Sequence, residues 1–274
     1  MLTADTADKK NTFKVAFLTI ASIFVMGYLN ALALNTYDLA MMITPQTGNI
    51  IWMGIHAAQG YWPEFLETLG LFFGFMGGAV FALFTQNLFK NKSNQFFWNW
   101  SFFAIPVALY PIIFQYFVHP VISLLILGFA AGATLGFFRK VYHMEINTSM
   151  ATGNVRFLGL HFAQAFFKKD TKGNKQEVRT FWIFFAAVFA FAFGAFLYVM
   201  LARVDAGLAT DANLTLFGSY EGTSRLTLGT GEILYGRHRF GYSQPAGGTN
   251  IARVIGMIAI CVIPYFFCPK YKKA

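Results

Sequence analysis

Long apolar runs separated by short polar or basic clusters dominate this sequence, and the length of the runs predicts membrane-spanning helices. A helix needs about 20 consecutive apolar residues to cross a bilayer. Six runs approach that length, and they predict full spans at residues 13–34, 65–89, 96–118, 121–138, 181–201 and 251–267. The second of these helices carries Gly70, Gly74 and Gly78. Because small residues at this spacing let helices approach closely in lipid, we expect a close helix contact on that face.

Two shorter apolar segments, about residues 45–59 and 150–167, carry the same polar residues in the same order. The first contains Thr47, Gly48, Asn49, His56 and Gln59, and the second contains Thr152, Gly153, Asn154, His161 and Gln164. The register is ungapped, and it also pairs Gly27 with Gly132 and Tyr37 with Tyr142. Self-similarity over this length predicts that the chain is built from two related halves.

Each short segment has only about 15 residues before a polar or basic turn, which is short for a full span and typical of a half-helix or re-entrant segment. If both segments are re-entrant and the N-terminus is cytoplasmic, the basic clusters also lie in the cytoplasm, namely Lys90, Lys92, Arg139, Lys140, the 168–175 loop and the C-terminal lysines. The positive-inside rule favours this arrangement, although tilted short spans keep the alternative open. Re-entrant segments would make the halves inverted repeats, as in many secondary transporters, whereas spanning segments would make them parallel repeats.

The predicted fold class is therefore an all-α polytopic membrane protein. It has two three-to-four-helix repeats, each with one short Thr-Gly-Asn helix, so that six full spans accompany two short elements. The predicted organisation is a cytoplasmic tail at 1–12, a first membrane repeat at 13–118, a second at 119–203, a polar Gly/Thr-rich extracytoplasmic loop at 204–249, a last transmembrane helix at 250–268 and a basic tail at 269–274.

Composition supports a membrane protein and excludes several other classes. The 274 residues are 56% hydrophobic and only 12% charged, whereas a soluble domain is about 25% charged. The net charge of +9 fits basic cytoplasmic loops better than nucleic-acid binding. Cys261 and Cys268 are seven residues apart on one predicted helix, a rise of about 10 Å that is too long for a disulfide. No metal-ligand spacing is present, and no cofactor is expected.

The repeated polar residues are the candidate functional site. Thr47 and Thr152 are suited to cap helix starts, and a helix start presents free N–H groups that bind anions or carboxylates. Asn and His seven residues apart share one helix face in each copy. Arg156 stands where the first copy has Ile51. The hypothetical substrate-binding set is Thr47, Gly48, Asn49, His56, Thr152, Gly153, Asn154, Arg156 and His161.

Several alternatives stay open at this stage. Asn, His and Gln also hold helices together by hydrogen bonds in lipid, so the repeat could serve packing alone. An intramembrane Arg is a functional candidate, yet Arg156 is close enough to a helix start to snorkel towards the interface. Asp38 and Glu145 are candidate partners for Arg156 or Arg139. Two His with amides and no nearby carboxylate make a poor metal site, and no hydrolase nucleophile is evident.

Two functions from different classes follow. The first is a small-solute or ion transporter or channel, with a site for an anionic or polar solute between the two Thr-Gly-Asn helix starts. The alternative is a non-transporting scaffold or assembly protein. An enzyme is not expected. The lipid bilayer is the expected partner, nucleic acid is not, and the glycine face of the second span leaves a homodimer open.

A family resemblance supports the architecture. Gly27-Tyr28-Leu29-Asn30-Ala31, Gln46-Thr47-Gly48-Asn49, Asn147-Thr148 and Ala151-Thr152-Gly153-Asn154 resemble the YoaK-like family of bacterial inner-membrane proteins of unknown function. The resemblance covers roughly residues 13–203, and the polar segment at 203–249 departs from the short links usual in that family. It implies a multi-pass protein of the bacterial inner membrane, and it implies no substrate, reaction or catalytic residue.

Overall fold

The computed structural model describes residues 9–36, 43–89, 95–110, 119–141, 144–146, 151–167, 174–209 and 251–268. Within these ranges the chain is almost entirely helical. The α-helices are α1 (Lys9–Thr36), α2 (Gln46–Gln59), α3 (Trp62–Leu88), α4 (Gln95–Leu109), α5 (Pro120–Phe137), α6 (Ala151–Phe167), α7 (Asn174–Ala209) and α8 (Ile251–Val262), and a 3-10 turn (Ile263–Phe267) extends α8. The all-α class predicted from the sequence is therefore confirmed for the described residues.

The bounds of α2, α3, α5 and α6 lie within three residues of the predicted ones. α1 begins at Lys9 rather than at residue 13. α4 ends at Leu109, and residues 111–118 of the helix predicted there lie outside the described residues. α7 covers Asn174–Ala209 rather than 181–201, because polar residues continue the helix beyond its apolar part. A two-stranded antiparallel hairpin, β1 (Lys140–Val141) and β2 (Met144–Glu145), was not predicted. Most of the polar loop predicted at 204–249 lies outside the described residues, while its first residues, up to Ala209, belong to α7.

Within the described parts of the chain, three helices are long and apolar enough to cross a membrane, and they are Phe13–Ala33, Trp62–Leu88 and Gln176–Ala202. Two shorter apolar helices cover Val121–Phe137 and Ala252–Phe267. Their outward faces carry large apolar side chains, such as Leu83 at 62% exposure and Phe189 at 60%. A water-soluble surface does not carry continuous apolar faces of this kind, so the structure supports a membrane protein.

Glycines bring α3 and α5 into backbone contact along most of their length. A Cβ added to Gly74 would collide with the Leu125 carbonyl, and one added to Gly78 would collide with the Phe129 carbonyl. From α5, Gly132 meets the Phe75 carbonyl in the same way. Contacts advance in the same direction along both helices, so α3 and α5 are parallel. The close contact predicted for the α3 glycine face is confirmed, and the partner is α5 of the same chain.

α1 and α7 form a second parallel pair. Phe24 packs on Phe193 and Tyr28 on Tyr198, with ring centroids 5.8 and 5.2 Å apart. Among the glycines whose surroundings the structure describes, two bring the backbones of α1 and α7 together. Gly27 meets the Phe191 carbonyl, and Gly194 meets the Phe24 carbonyl.

The two helix pairs make matching contacts. The sequence repeat aligns Phe24 with Phe129 and Gly27 with Gly132. Gly194 on α7 packs against Phe24, just as Gly78 on α3 packs against Phe129. The first helix of each half thus packs on the third helix of the other half.

Contacts at the helix ends give the direction of the remaining helices. At the end of the bundle where α1 begins, here the near end, Phe17 packs on Phe267 beyond α8 with centroids 4.3 Å apart. Phe97 of α4 packs on Tyr265 at 5.3 Å. Phe89, which follows α3, stacks on Trp98 in the first turn of α4 at 5.8 Å. The near end therefore holds the starts of α1 and α4 and the ends of α3 and α8.

Hydrogen bonds dock α8 onto three other helices. The Tyr28 hydroxyl donates to the Arg253 carbonyl at 3.1 Å, and the Arg253 guanidinium donates to the Tyr198 hydroxyl at 3.5 Å. The Trp100 indole N–H of α4 donates to the Cys261 carbonyl at 2.8 Å. Cys261 is buried and carries a free thiol, as does the partly buried Cys268, in line with the expectation that they form no disulfide.

Candidate functional site

α2 does not begin as the sequence suggested. Its N-cap is Pro45, with no side-chain capping bond, and Thr47 is the second helical residue. The Thr47 side chain is exposed. A Cβ added to Gly48 would meet no atom within 4 Å, so Gly48 is not a point of close helix approach. The expected capping role of Thr47 is therefore wrong, because the N-cap residue is Pro45 and Thr47 lies inside the first turn.

A buried polar cluster joins the start of α2 to α1. The Asn30 side-chain amide donates to the Met26 carbonyl at 2.8 Å and to the Thr44 hydroxyl at 3.0 Å. In the first turn of α2, the Gln46 amide donates to the Ile43 carbonyl at 3.0 Å. These contacts set the start of α2 beside Asn30, about one turn and a half before α1 ends. Asn30 and Gln46 were missed as site residues, although an Asn inside an apolar run was a usable signal.

The buried face of α2 is polar, while its exposed face is mainly apolar. Gln46, Asn49 and His56 are buried, with Asn49 only 1% exposed. Ile50 and Ile51 are 51% and 60% exposed. The arrangement is the reverse of a helix on a water-soluble protein, whose apolar stripe faces the core. It fits a helix that turns a polar face inward and an apolar face towards lipid.

His56 is buried without a hydrogen-bond partner for one of its ring nitrogens. It is 6% exposed, and its Nδ1 has no partner within the described part of the chain. The Trp52 ring lies beside it, with centroids 5.5 Å apart. A buried polar atom without a partner costs free energy, so this nitrogen is suited to accept from or donate to a bound molecule.

α6 repeats the reversed pattern at the start of the second copy. Asn154 is buried at 1% exposure, and Gly153 is partly buried. Apolar residues cover the outer face, and their exposed members are Val155, Phe157, Leu160 and Phe162. The Arg156 side chain is exposed rather than buried, so it does not point into the protein. The Thr152 side chain lies outside the described residues.

The two histidines differ in their partners. His161 Nδ1 lies 2.6 Å from Glu177 Oε2, in the first turn of α7. The imidazole stacks on the Phe184 ring, with centroids 5.6 Å apart and 8° between the planes. Glu177 was missed from sequence, because the residues that bring it back to His161 belong to a polar link with no periodic signal.

Other sequence expectations have mixed outcomes. Gln59 and Gln164 are exposed and lie off the polar faces. Arg139 pairs with Glu145 at 3.2 Å, which confirms that predicted alternative, whereas Asp38 lies outside the described residues. α2 packs on α3 and α6 on α7, while a site shared between the two helix starts stays a prediction. Within the described ranges, no three His, Cys, Asp or Glu residues are grouped closely enough to hold a metal ion.

Comparison with known proteins gives a family and no function. No curated protein and no solved structure matches the chain. Residues 18–216 match the family model described as "Protein of unknown function (DUF1275)". Because this match covers well over half of the sequence, the chain belongs to the DUF1275 family.

Proposed function

We propose that this protein is a multi-pass protein of the bacterial inner membrane, of the YoaK-like type, that lets a small polar solute or ion cross the bilayer. In this proposal six helices span the membrane, the near end of the bundle faces the cytoplasm with both chain termini, and α2 and α6 are re-entrant. The solute contacts the inward polar faces of the two short helices.

The crossed packing of the two halves supports the inverted-repeat arrangement. α1 runs from the near end to the far end, and α3 returns, so α2 lies at the far end. α5 runs parallel to α3, and α7 runs parallel to α1, so α6 lies at the near end. Two equivalent short helices entering from opposite sides are the plan on which many secondary transporters are built.

The reversed polarity of α2 and α6 is the observation that carries the proposal. Burying Asn49, Asn154 and His56 while exposing isoleucine and phenylalanine makes sense when the outside is lipid and the inside is a polar path. In hydrocarbon, irregular or short helical elements persist only where they line a cavity or are buried in protein. Asn49, His56, Asn154 and His161 are therefore assigned to the lining. Exposed Arg156 is assigned to the lipid headgroups.

One observation favours the scaffold alternative. The Asn49 amide donates to the Gln46 side chain at 3.4 Å, and Asn30 is satisfied by Thr44 and Met26. Polar groups that satisfy one another within the protein could serve packing alone. Solvent access to the polar faces separates the two functions.

Cysteine accessibility provides that test. Single cysteines at positions 45–59 and 151–164, in a background with Cys261→Ala and Cys268→Ala, are treated with a membrane-impermeant thiol reagent from each side. The proposal expects labelling at positions 49 and 56 from outside and at positions 154 and 161 from the cytoplasm. Ile50→Cys and Ile51→Cys are matched controls on the lipid face, and they should stay unlabelled. Protection of all four polar positions in folded protein would leave the scaffold function.

A further inference from the structure

The two copies of the repeated histidine stand in different chemical environments. His56 has an aromatic neighbour, Trp52, and its Nδ1 has no partner within the described residues. His161 has an aromatic neighbour and a carboxylate, because Glu177 lies 2.6 Å from its Nδ1. Both third helices carry an acidic residue in the first turn, Glu64 in α3 and Glu177 in α7. Among the described residues, only the second of these carboxylates is paired with the repeated histidine.

The surroundings of the His161–Glu177 pair are apolar on one side and open on the other. The imidazole stacks on Phe184, and Phe157 lies on it at 6.5 Å. The two side chains retain 23% and 32% exposure, so neither is enclosed by protein. The pair thus has a fixed geometry and one open side.

Other charged groups lie on the same two helices and on neighbouring elements. On the same two helices, Arg156 and Arg179 are exposed. Arg139 and Glu145 bind each other beside the hairpin and are about 60% exposed. On α1, Lys14 lies towards Cys268. Glu177 is the charged residue that contacts His161 in the structure.

Proton binding changes the charge of this pair by one unit. With a neutral imidazole, the Nδ1–H donates to the carboxylate and the pair carries one negative charge. A proton taken up at Nε2 leaves an imidazolium bound to a carboxylate, with no net charge. Histidine is the side chain whose charge changes most readily between about pH 5 and 8. Glutamate and histidine within membrane segments commonly form proton relays.

We propose that the His161–Glu177 pair is a proton-binding site that couples proton uptake at the cytoplasmic side to the position of α6. This inference rests on the proposed function and adds the proton as the coupling ion. A change of charge at the α6–α7 contact alters the attraction between the two helices. α6 also carries Asn154, which the proposed function assigns to the lining. A shift of α6 on protonation of the pair would therefore also move a residue of the solute path.

The first part of the test measures proton binding directly. Nitrogen spectra of protein containing ¹⁵N-labelled histidine, in detergent micelles, report the charge of each of the five imidazoles. Signals absent from His161→Asn identify His161. In Glu177→Gln, loss of the carboxylate should change the pH dependence of these signals. Glu145→Gln removes a carboxylate paired elsewhere and should leave the midpoint unchanged. Equal midpoints in wild type and Glu177→Gln would overturn the proposal.

The second part measures coupling, and it separates the two proposals. Gly153→Cys on α6 and Gly48→Cys on α2 are labelled side by side at pH 6 and pH 8, and their ratio removes the pH dependence of thiol chemistry. The ratio should change several-fold with pH in the otherwise unaltered protein and stay constant with Glu177→Gln. Labelling with a constant ratio would overturn proton coupling while leaving a solute path. Absence of labelling at both positions would overturn the solute path and the coupling with it.

Discussion

The α3–α5 pair and the α1–α7 pair are equivalent in the repeat, yet they are packed by different side chains. Aligning Gly78 with Gly194 and Phe129 with Phe24 sets Ala82 and Ala133 of the first pair against Tyr198 and Tyr28 of the second. All four are buried, with at most 1% exposure. Equivalent positions therefore hold two methyl groups in the α3–α5 pair and two phenol rings in the α1–α7 pair.

The difference shows that the same arrangement of two helices can be held together by different kinds of contact. Small residues let α3 and α5 meet backbone to backbone, and contact of this kind depends on many dispersion interactions at short range. The tyrosines of the α1–α7 pair instead reach outward and bind α8 through Arg253. We infer that the glycine-packed pair is the more rigid of the two pairs. The tyrosine-packed pair carries Glu177 and holds the last helix.

Bulky substitutions at the glycines should give the largest loss of stability and the clearest difference between the two helix pairs. Gly132→Leu should destabilise the protein by about 3 kcal/mol or more, because its side chain would displace a backbone held by further glycines on both sides. Gly27→Leu should cost less, about 2 kcal/mol, since the α1–α7 pair has fewer glycine contacts to lose. Apparent melting temperatures in detergent measure both. Gly54→Leu, at a position with no atom nearby, is the control, and equal losses for Gly27 and Gly132 would remove the distinction.

Exchanging a polar residue between the halves gives the next largest effect. The repeat aligns Asn30 with Leu135. Asn30→Leu should cost about 1–2 kcal/mol, because the buried Thr44 hydroxyl loses its partner. Leu135→Asn should also destabilise the protein, because it adds a side-chain amide to α5 at a position where no hydrogen-bond partner is described. Thermal unfolding of both variants and of the exchanged double variant tests this, and an unaffected Asn30→Leu would show that the polar cluster contributes nothing.

Removing the tyrosine hydroxyl should have a smaller effect. Tyr28→Phe keeps the ring contact with Tyr198 and loses the bond to the Arg253 carbonyl, for about 1 kcal/mol. Limited proteolysis should also release α8 faster, because one of its docking bonds is gone. Tyr61→Phe changes an exposed ring and serves as the matched control. Unchanged release of α8 would contradict the docking role of Tyr28.

The exposed ion pair should matter least. Arg139→Ala removes the bond to Glu145, but both side chains are about 60% exposed, so the expected loss is at most about 0.5 kcal/mol. Added salt should not enlarge it. If thermal unfolding shows a loss of stability above about 1 kcal/mol, the hairpin contributes to holding α1 in place.

Much of the fold could be predicted from local pattern. Apolar length gave α1, α3 and α5 to within a few residues, and the spacing of Gly70, Gly74 and Gly78 predicted a close contact. The identity of the partner could not be predicted. A row of glycines predicts that another helix will pack closely against it. Whether that helix is α5 or belongs to a second copy of the chain depends on the tertiary arrangement. Because α5 covers this face, the homodimer prediction no longer has that support, and it stays untested.

The candidate site was predicted in part. Spacing alone placed Asn49 and His56 on one face, since residues seven apart on a helix are neighbours in rotation. It could not identify Glu177 as the partner of His161, because the two lie on different helices joined by a polar link. The capping role of Thr47 failed for a local reason, since Pro45 already occupies the N-cap.

The crossed packing also sets an order of assembly during synthesis. Within the glycine-packed pair, Gln86 of α3 bonds the Gly136 carbonyl only 50 residues later. Tyr28 of α1 bonds Arg253, which follows 225 residues later. Contacts between distant residues form late, and surfaces that wait for them are exposed meanwhile. α1 is thus made long before its partners α7 and α8, and its packing surface at Gly27 stays uncovered until those helices have been synthesised.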